Sequence, residues 1–189
     1  MENSELISLA AREGYTLNLR QLEPNDSAIA TYVQTGRSGY RDHYCHLWPK
    51  GDPWPYIDRN FTTPIVSSEV GREGLSHWLV YWNNEAGGIC KVDSGKAYPG
   101  FLNRQSLYLE KLYFRKACTG KGIGGSMLEF LRDFALKAGK TGIWLEAMQK
   151  GPALNFYLKN GFEIIGETQV PYPEVVPEER HMWVLGLAF

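Results

Sequence analysis

Four glycines, Gly120, Gly122, Gly124 and Gly125, stand between an apolar run of β-forming residues that ends at Phe114 and an amphipathic stretch that opens at Ile123. That spacing suits anion binding. The first turn of a helix carries N–H groups without intrahelical acceptors, and aligned peptide dipoles add partial positive charge there. Glycine removes the Cβ atoms that would hold an anion away from those groups. A phosphate can then rest on main chain, with Lys121 as an added point charge.

Two familiar phosphate loops fit poorly. A Walker loop needs a glycine five residues before the Gly120–Lys121 pair and a Ser or Thr after the lysine, and Arg115 and Gly122 occupy those places. The dinucleotide pattern GxGxxG is spelled by Gly120, Gly122 and Gly125, with Glu146 downstream at the place of a ribose-binding acid. There, however, the strand should run straight into the first glycine, and Arg115 to Thr119 intervene. Further βα units are also required, and only strands are expected after Phe162.

Other reactive residues lack the company their chemistry needs. His43, Cys45 and His46 lie close together, but no second ligand cluster follows, so no metal is expected. Ser126 and His181 show no nucleophile context.

The elements that must position the turn follow from periodicity. Ser106–Phe114 reads as a strand, and Ile123, Met127, Leu128, Leu131, Phe134 and Ala135 give the next helix one apolar face. Gly139 is its stop, and Gly142–Met148 resumes a strand, which makes a single β-α-β crossover. Pro152 suits the start of a second helix and Gly161 its end, before strands over Phe162–Thr168 and Arg180–Leu187.

Upstream, a short helix is expected over Ser4–Arg12 and a strand over Tyr15–Leu22. A helix begins near Pro24–Asp26, with Ala28, Ile29, Tyr32 and Val33 on one face, and is expected to stop at Gly36. His77–Tyr81 and Ala86–Val92 form a hairpin about Asn83–Glu85. Between them, Arg37–Val70 mixes prolines with Tyr40, Tyr44, Trp48, Trp54, Tyr56 and Phe61, as a rigid wall or as packing for a long connection.

A chain of 189 residues with 43% hydrophobic content can bury one substantial core, so a single domain over residues 1–189 is expected. A formal net charge of −1 supplies no field for nucleic acid or an anionic membrane, and neither is expected as a partner. No stretch reaches the ~20 apolar residues of a membrane span and the start lacks a signal-peptide layout, so a cytoplasmic location is the default. Cys45, Cys90 and Cys118, odd in number and dispersed, suit reduced thiols.

Two stretches together resemble the GNAT superfamily of acetyl-CoA-dependent N-acetyltransferases. Leu112, Tyr113 and Phe114 match the end of the family's strand, and Thr119-Gly120-Lys121-Gly122-Ile123-Gly124 matches its R/Q-x-x-G-x-G/A loop, with Thr119 in place of Arg or Gln. Ala153, Phe156, Tyr157, Gly161 and Phe162 match A-x-x-F-Y-x-x-x-G-F in full, and Lys150 stands where many members carry Asn.

The resemblance implies an α/β fold of α+β type, with a mostly antiparallel mixed sheet, one β-α-β crossover and flanking helices, its first strand at one edge. It implies transfer of acetyl from acetyl-CoA to an amine of a small molecule or peptide, with no metal. The donor would be held by Leu112–Phe114, Thr119–Gly125, Lys150, Ala153 and Phe156, and its oxyanion by strand N–H groups near Leu112–Phe114. Tyr157 takes the place of the tyrosine that protonates the departing thiolate, and Glu110 that of a carboxylate draining the amine's proton. Alternation puts Glu110 on the face of Leu112 and Phe114. Residues 37–70 become the acceptor side, with Trp48, Trp54 and Tyr56 as its wall, and the loop QVPYPEVVPEE with Tyr172 becomes its lid or a stiff surface hairpin. Many members dimerise, so a homodimer is compatible. Read without the motif, Tyr157 is a core residue and Glu110 a salt-bridged strand acid. The departures at Thr119 and Lys150 leave room for an acyl-CoA-binding regulator without activity.

Overall fold

The computed structural model describes residues 6–10 and 14–189, and within them eight strands form one mixed sheet. They are β1 (Ile7–Leu9), β2 (Leu17–Gln21), β3 (Leu75–Trp82), β4 (Glu85–Asp93), β5 (Ser106–Phe114), β6 (Gly142–Met148), β7 (Glu163–Gln169) and β8 (His181–Ala188), in the order β1-β2-β3-β4-β5-β6-β8-β7. Every neighbouring pair is antiparallel except β5–β6. Helix α4 (Ile123–Lys137) makes that one parallel crossover.

The two faces of the sheet carry separate cores. On one, Leu107, Leu109, Cys90 and Val92 meet Met127, Leu131 and Ala135 of α4, together with Tyr157 of α5 (Pro152–Lys159). On the other, Leu79 and Ile89 lie under α1 (Ile29–Tyr44), α2 (Trp54–Asn60) and α3 (Thr63–Glu69). With both faces covered, β4 is buried from Gly87 through Val92 although its sequence includes Lys91.

Several sequence expectations are corrected. The segment expected to be a helix over Ser4–Arg12 contains strand β1, paired to β2 from Ile7↔Leu19 to Leu9↔Leu17, while Ser4 and Arg12 lie outside the described residues. The strand expected at the sheet edge is therefore second from it.

The helix expected to stop at Gly36 continues to Tyr44. Gly36 is a contact point: a Cβ there would collide with the ring of Phe61, and one on Gly39 would lie 3.2 Å from Cβ of Tyr113. These glycines admit neighbours, and the helix tolerates them because tertiary packing outweighs propensity. Beyond it, the supposed long connection folds into α2 and α3, and Thr62 caps the latter by accepting from the Ile65 N–H at 3.4 Å.

Candidate active site

The sheet splits between β5 and β6. Parallel pairing runs from Ser106↔Gly142 to Leu109↔Leu145 and stops, although β5 continues to Phe114 and β6 to Met148, each still paired on its outer side. Main-chain groups of the two inner edges beyond Leu109 and Leu145 are left facing a wedge. The glycine turn follows one lip and α5 follows the other.

At the first lip, a short 3-10 turn (Lys116–Cys118) leads into Thr119, whose hydroxyl donates to the Lys116 carbonyl at 2.8 Å. Gly120 and Gly122 have φ of +72° and +87°, a region costly for other residues. The carbonyl of Gly122 accepts from Gly125 at 3.1 Å and Ser126 at 3.4 Å. The N–H groups of Lys121 to Gly124 precede that first bond and have no intrahelical acceptor. Open space surrounds Gly120 and Gly125, where a Cβ would meet nothing within 4 Å, and Lys121 is exposed. This cradle fits a diphosphate by its donors, its dipole and its room.

Gly124 is different, because a Cβ there would lie 2.8 Å from Cζ of Phe156. The helix after the turn thus packs directly on α5, where Ala153 and Phe156 lie against the core.

Tyr157, next in line, is nearly buried between Phe156 and Phe162, with ring centroids 5.1 and 5.3 Å away. Burial pushes its phenol above the usual range, and the nearby Tyr44 phenol and Cys90 thiol push the same way. Cys90 pairs with Leu112, and Tyr44 belongs to the helix on the opposite face, so the phenol lies close to the wedge.

Glu110 occupies a bulge. Lys91 pairs with Lys111 but Val92 with Leu109, so Glu110 is passed over in the pairing with β4. The extra residue changes the parity of the strand. Leu107, Leu109, Leu112 and Phe114 remain on the α4 face, while Glu110, expected beside Leu112 and Phe114, turns to the α1–α3 face. There its Oε1 accepts from Lys91 Nζ at 3.0 Å and from Lys111 Nζ. Lys91 also donates to Glu69 of α3 at 2.8 Å, and Glu69 Oε2 meets Nε2 of buried His77 at 3.2 Å.

Opposite charges alternate along this chain. Burial alone would raise both acids, but hydrogen bonds from His77 and Lys91 hold Glu69 down at about 2, and the charges of Lys111 and Lys91 hold Glu110 below the usual carboxylate range. Burial lowers Lys111, with the Glu110 charge opposing. Sequence reading allowed for Glu110 as a salt-bridged strand acid but missed the network that Lys91, Lys111, Glu69 and His77 form with it. The signal of that network was Lys91 inside an otherwise apolar strand, where a charge must be paired.

Three of the four residues expected at the acceptor site, Trp48 and Tyr56 of its wall and Tyr172 of its lid loop, come together. The Tyr56 and Tyr113 hydroxyls are 2.8 Å apart, Tyr172 packs edge-on to Tyr56 at 5.5 Å and to Trp48 at 5.8 Å, and Asn60 Nδ2 donates to the Tyr172 hydroxyl at 2.8 Å. Tyr40 stacks on Tyr56 at 4.0 Å and on Tyr44 at 5.0 Å. Trp54 lies apart, exposed, with the guanidinium carbons of Arg37 and Arg41 5.9 and 6.0 Å from its ring centroid.

The loop before β8 is fastened onto this wall. Val175 is buried, Val176 N–H donates to the Leu47 carbonyl at 2.9 Å, and Arg59 holds Glu174 through both carboxylate oxygens. Lys150 reaches the same loop, donating to the Glu178 carbonyl and to Glu179 Oε1, both at 2.9 Å. Asp42 and Asp52 serve locally, accepting from the N–H groups of Lys116 at 2.7 Å and Trp54 at 3.1 Å. Among the described residues no group of three or more His, Cys, Asp or Glu could hold a metal, and no helix is long and apolar enough to cross a membrane.

The split sheet, the glycine turn at one lip and the tyrosine-bearing helix at the other are those of a GNAT-like fold. Residues 73–164 match the model of the acetyltransferase (GNAT) domain. Among curated proteins, an uncharacterized N-acetyltransferase in the pepI 3' region of Lactobacillus delbrueckii subsp. lactis is 19% identical over 166 residues, 87% of this chain and 88% of the relative. The probable N-acetyltransferase san of Drosophila melanogaster is 27% identical over 134 residues, 69% of this chain and 66% of the relative. Among solved structures, the PaiA N-acetyltransferase of Thermoplasma acidophilum in complex with coenzyme A has the same fold, with a TM-score of 0.70 at 15% identity over 92% of this chain and 99% of its own.

Proposed function

We propose that the protein transfers the acetyl group of acetyl-CoA directly to an amine of a small molecule or peptide. The observation that carries this reading is the unpaired stretch of β5 and β6, bracketed by the glycine cradle and by Tyr157. The diphosphate of the donor rests on the N–H groups of Lys121 to Gly124, with Gly125 leaving room beside them and Lys121 adding charge. Thr119 closes the turn, Ile123 anchors the helix start, and Ala153 and Phe156 form the far wall. The free edge of β5 from Leu112 to Phe114 supplies N–H groups to the acyl oxygen as it gains charge. Lys150 stands at the rim, where it exchanges Glu179 for the donor.

The amine approaches from the α1–α3 face, along the wall of Trp48, Tyr56 and Tyr172, with Trp54 at its outer margin. Its nitrogen attacks the thioester carbon, the C–S bond breaks, and the proton lost by nitrogen ends on sulfur. Reference values put a phenol near 10 and a thiol near 8.5, and burial raises Tyr157 further, so handing a whole proton to a released thiolate is uphill. Tyr157 instead donates to sulfur while charge develops and is reprotonated in the same event from the acceptor nitrogen. Glu110, kept ionised by its two lysines, stabilises the amine's positive charge on the acceptor side and passes its proton to water.

Free thiol is followed with acetyl-CoA and a panel of alkylamines, amino acids, aminoglycosides and peptides. Acceptor-dependent release is expected. Tight acetyl-CoA binding by calorimetry with no release from any amine would overturn the reading in favour of a non-catalytic acyl-CoA-binding regulator.

A further inference from the structure

A cation site lies beside the wedge, and the protein fills it with its own lysine. On the α1–α3 side of the sheet, Tyr108 of β5 and Trp144 of β6 stack with centroids 4.2 Å apart, and Tyr98 tilts against Trp144 at 5.4 Å. The ammonium of Lys96 sits 3.8 Å from the Tyr108 centroid and 5.2 Å from that of Trp144. Glu146 lies next to the rings, its Oε2 accepting from the Tyr108 hydroxyl at 2.6 Å. Two stacked rings that already hold an ammonium, with a third ring and a carboxylate bonded to them, suit an alkylammonium group.

The backbone of Lys96 is pinned independently of its side chain. Its N–H donates to Asp93 Oδ1 at 3.1 Å, as does that of Gly95 at 2.7 Å, and its carbonyl accepts from Trp144 Nε1 at 3.2 Å. The four-carbon stem can therefore swing out without unfolding the loop. The hold of an exposed lysine on a ring is weak, and among the described residues its ammonium makes none of the observed ion pairs or hydrogen bonds.

The position of these rings ties them to the reaction. Tyr108 precedes Glu110 by two residues on the same face, a rise on the order of 7 Å, and Leu109–Leu145 is the last pair before the strands part. The negative charge of Glu110 is felt at the Tyr108 phenol.

We infer that Tyr98, Tyr108, Trp144 and Glu146 form a subsite for a second cationic nitrogen of the acceptor, which displaces Lys96, so that the preferred acceptors are diamines or longer polyamines. This rests on the acetyl-transfer reading above and specifies its substrate class.

The test compares 1,4-diaminobutane and 1,5-diaminopentane with butylamine and pentylamine, in wild type, Lys96→Ala and Glu146→Gln, with melting temperature as the folding control. In wild type, kcat/KM for the diamines is expected to exceed that for the monoamines at least tenfold. Lys96→Ala should widen that ratio several-fold through KM, and Glu146→Gln should collapse it towards one. Thiol release with equal kcat/KM for both classes would overturn the subsite and leave the transferase reading standing. If no amine is turned over, the transferase reading fails, and calorimetry with 1,4-diaminobutane alone still decides: binding tightened by Lys96→Ala and lost in Glu146→Gln supports the subsite, whereas no binding, or binding indifferent to both changes, removes it.

Discussion

The ring of Phe156 lies over Gly124 so closely that a methyl group on the glycine would sit 2.8 Å from Cζ and 3.1 Å from Cε2. This contact couples the anion cradle to the helix that carries the candidate acid, one residue away from Tyr157. Gly124→Ala should force the ring to move, costing about 1–3 kcal/mol of stability as overpacking does. It should also raise KM for acetyl-CoA. Denaturant unfolding and initial rates check both, and Gly124→Ala combined with Phe156→Leu should recover part of each.

Tyr157→Phe separates chemistry from packing. The hydroxyl makes none of the observed hydrogen bonds among the described residues while the ring is packed between Phe156 and Phe162, so removing the oxygen should change stability by less than about 1 kcal/mol. As loss of an acid, it should lower kcat by about 10²- to 10⁴-fold with KM for acetyl-CoA little changed. An unchanged kcat would remove Tyr157 from the mechanism.

Stability should fall at both ends of the pH scale for identifiable reasons. Burial raises the phenols of Tyr32, Tyr56, Tyr113 and Tyr157, so above pH ~10 the unfolded chain gives up protons that the native state keeps, and stability drops as pH rises. Glu69 has the opposite sign. Held at about 2 against an ordinary 4.5, it contributes about 3 kcal/mol that is fully present above pH ~5 and lost as pH falls towards 2. Equilibrium unfolding between pH 2 and 7 should show that acid limb reduced in Glu69→Gln.

Gly36→Ala tests why the first long helix passes through a glycine. Alanine favours helix by about 1 kcal/mol, yet its methyl group would collide with Phe61. Overpacking should win, for a net loss of about 1–2 kcal/mol by denaturant unfolding. Adding Phe61→Leu should turn the same substitution towards neutral.

The crossover was legible in the chain by itself. The bounds of β5 and β6 agree with the residues read from periodicity, and the turn glycines Gly139 and Gly161 have φ of +70° and +85°, as helix stops require. Such features depend on neighbours within a few positions, through apolar period, cap chemistry and left-handed backbone.

Other features were settled by partners far along the chain. Glu110 faces the α1–α3 side because β4 skips it, and a bulge belongs to a pair of strands, so counting along one strand cannot place it. Gly36 looks like a stop until Phe61 arrives against it. Tyr172 meets Tyr56 only because the loop before β8 folds back onto α2, and Lys96 finds its rings on β5 and β6. Local spacing thus determined that a glycine turn and a crossover exist, and tertiary pairing decided which face each acid, lysine and ring presents, since that choice is made by contacts that close only on folding.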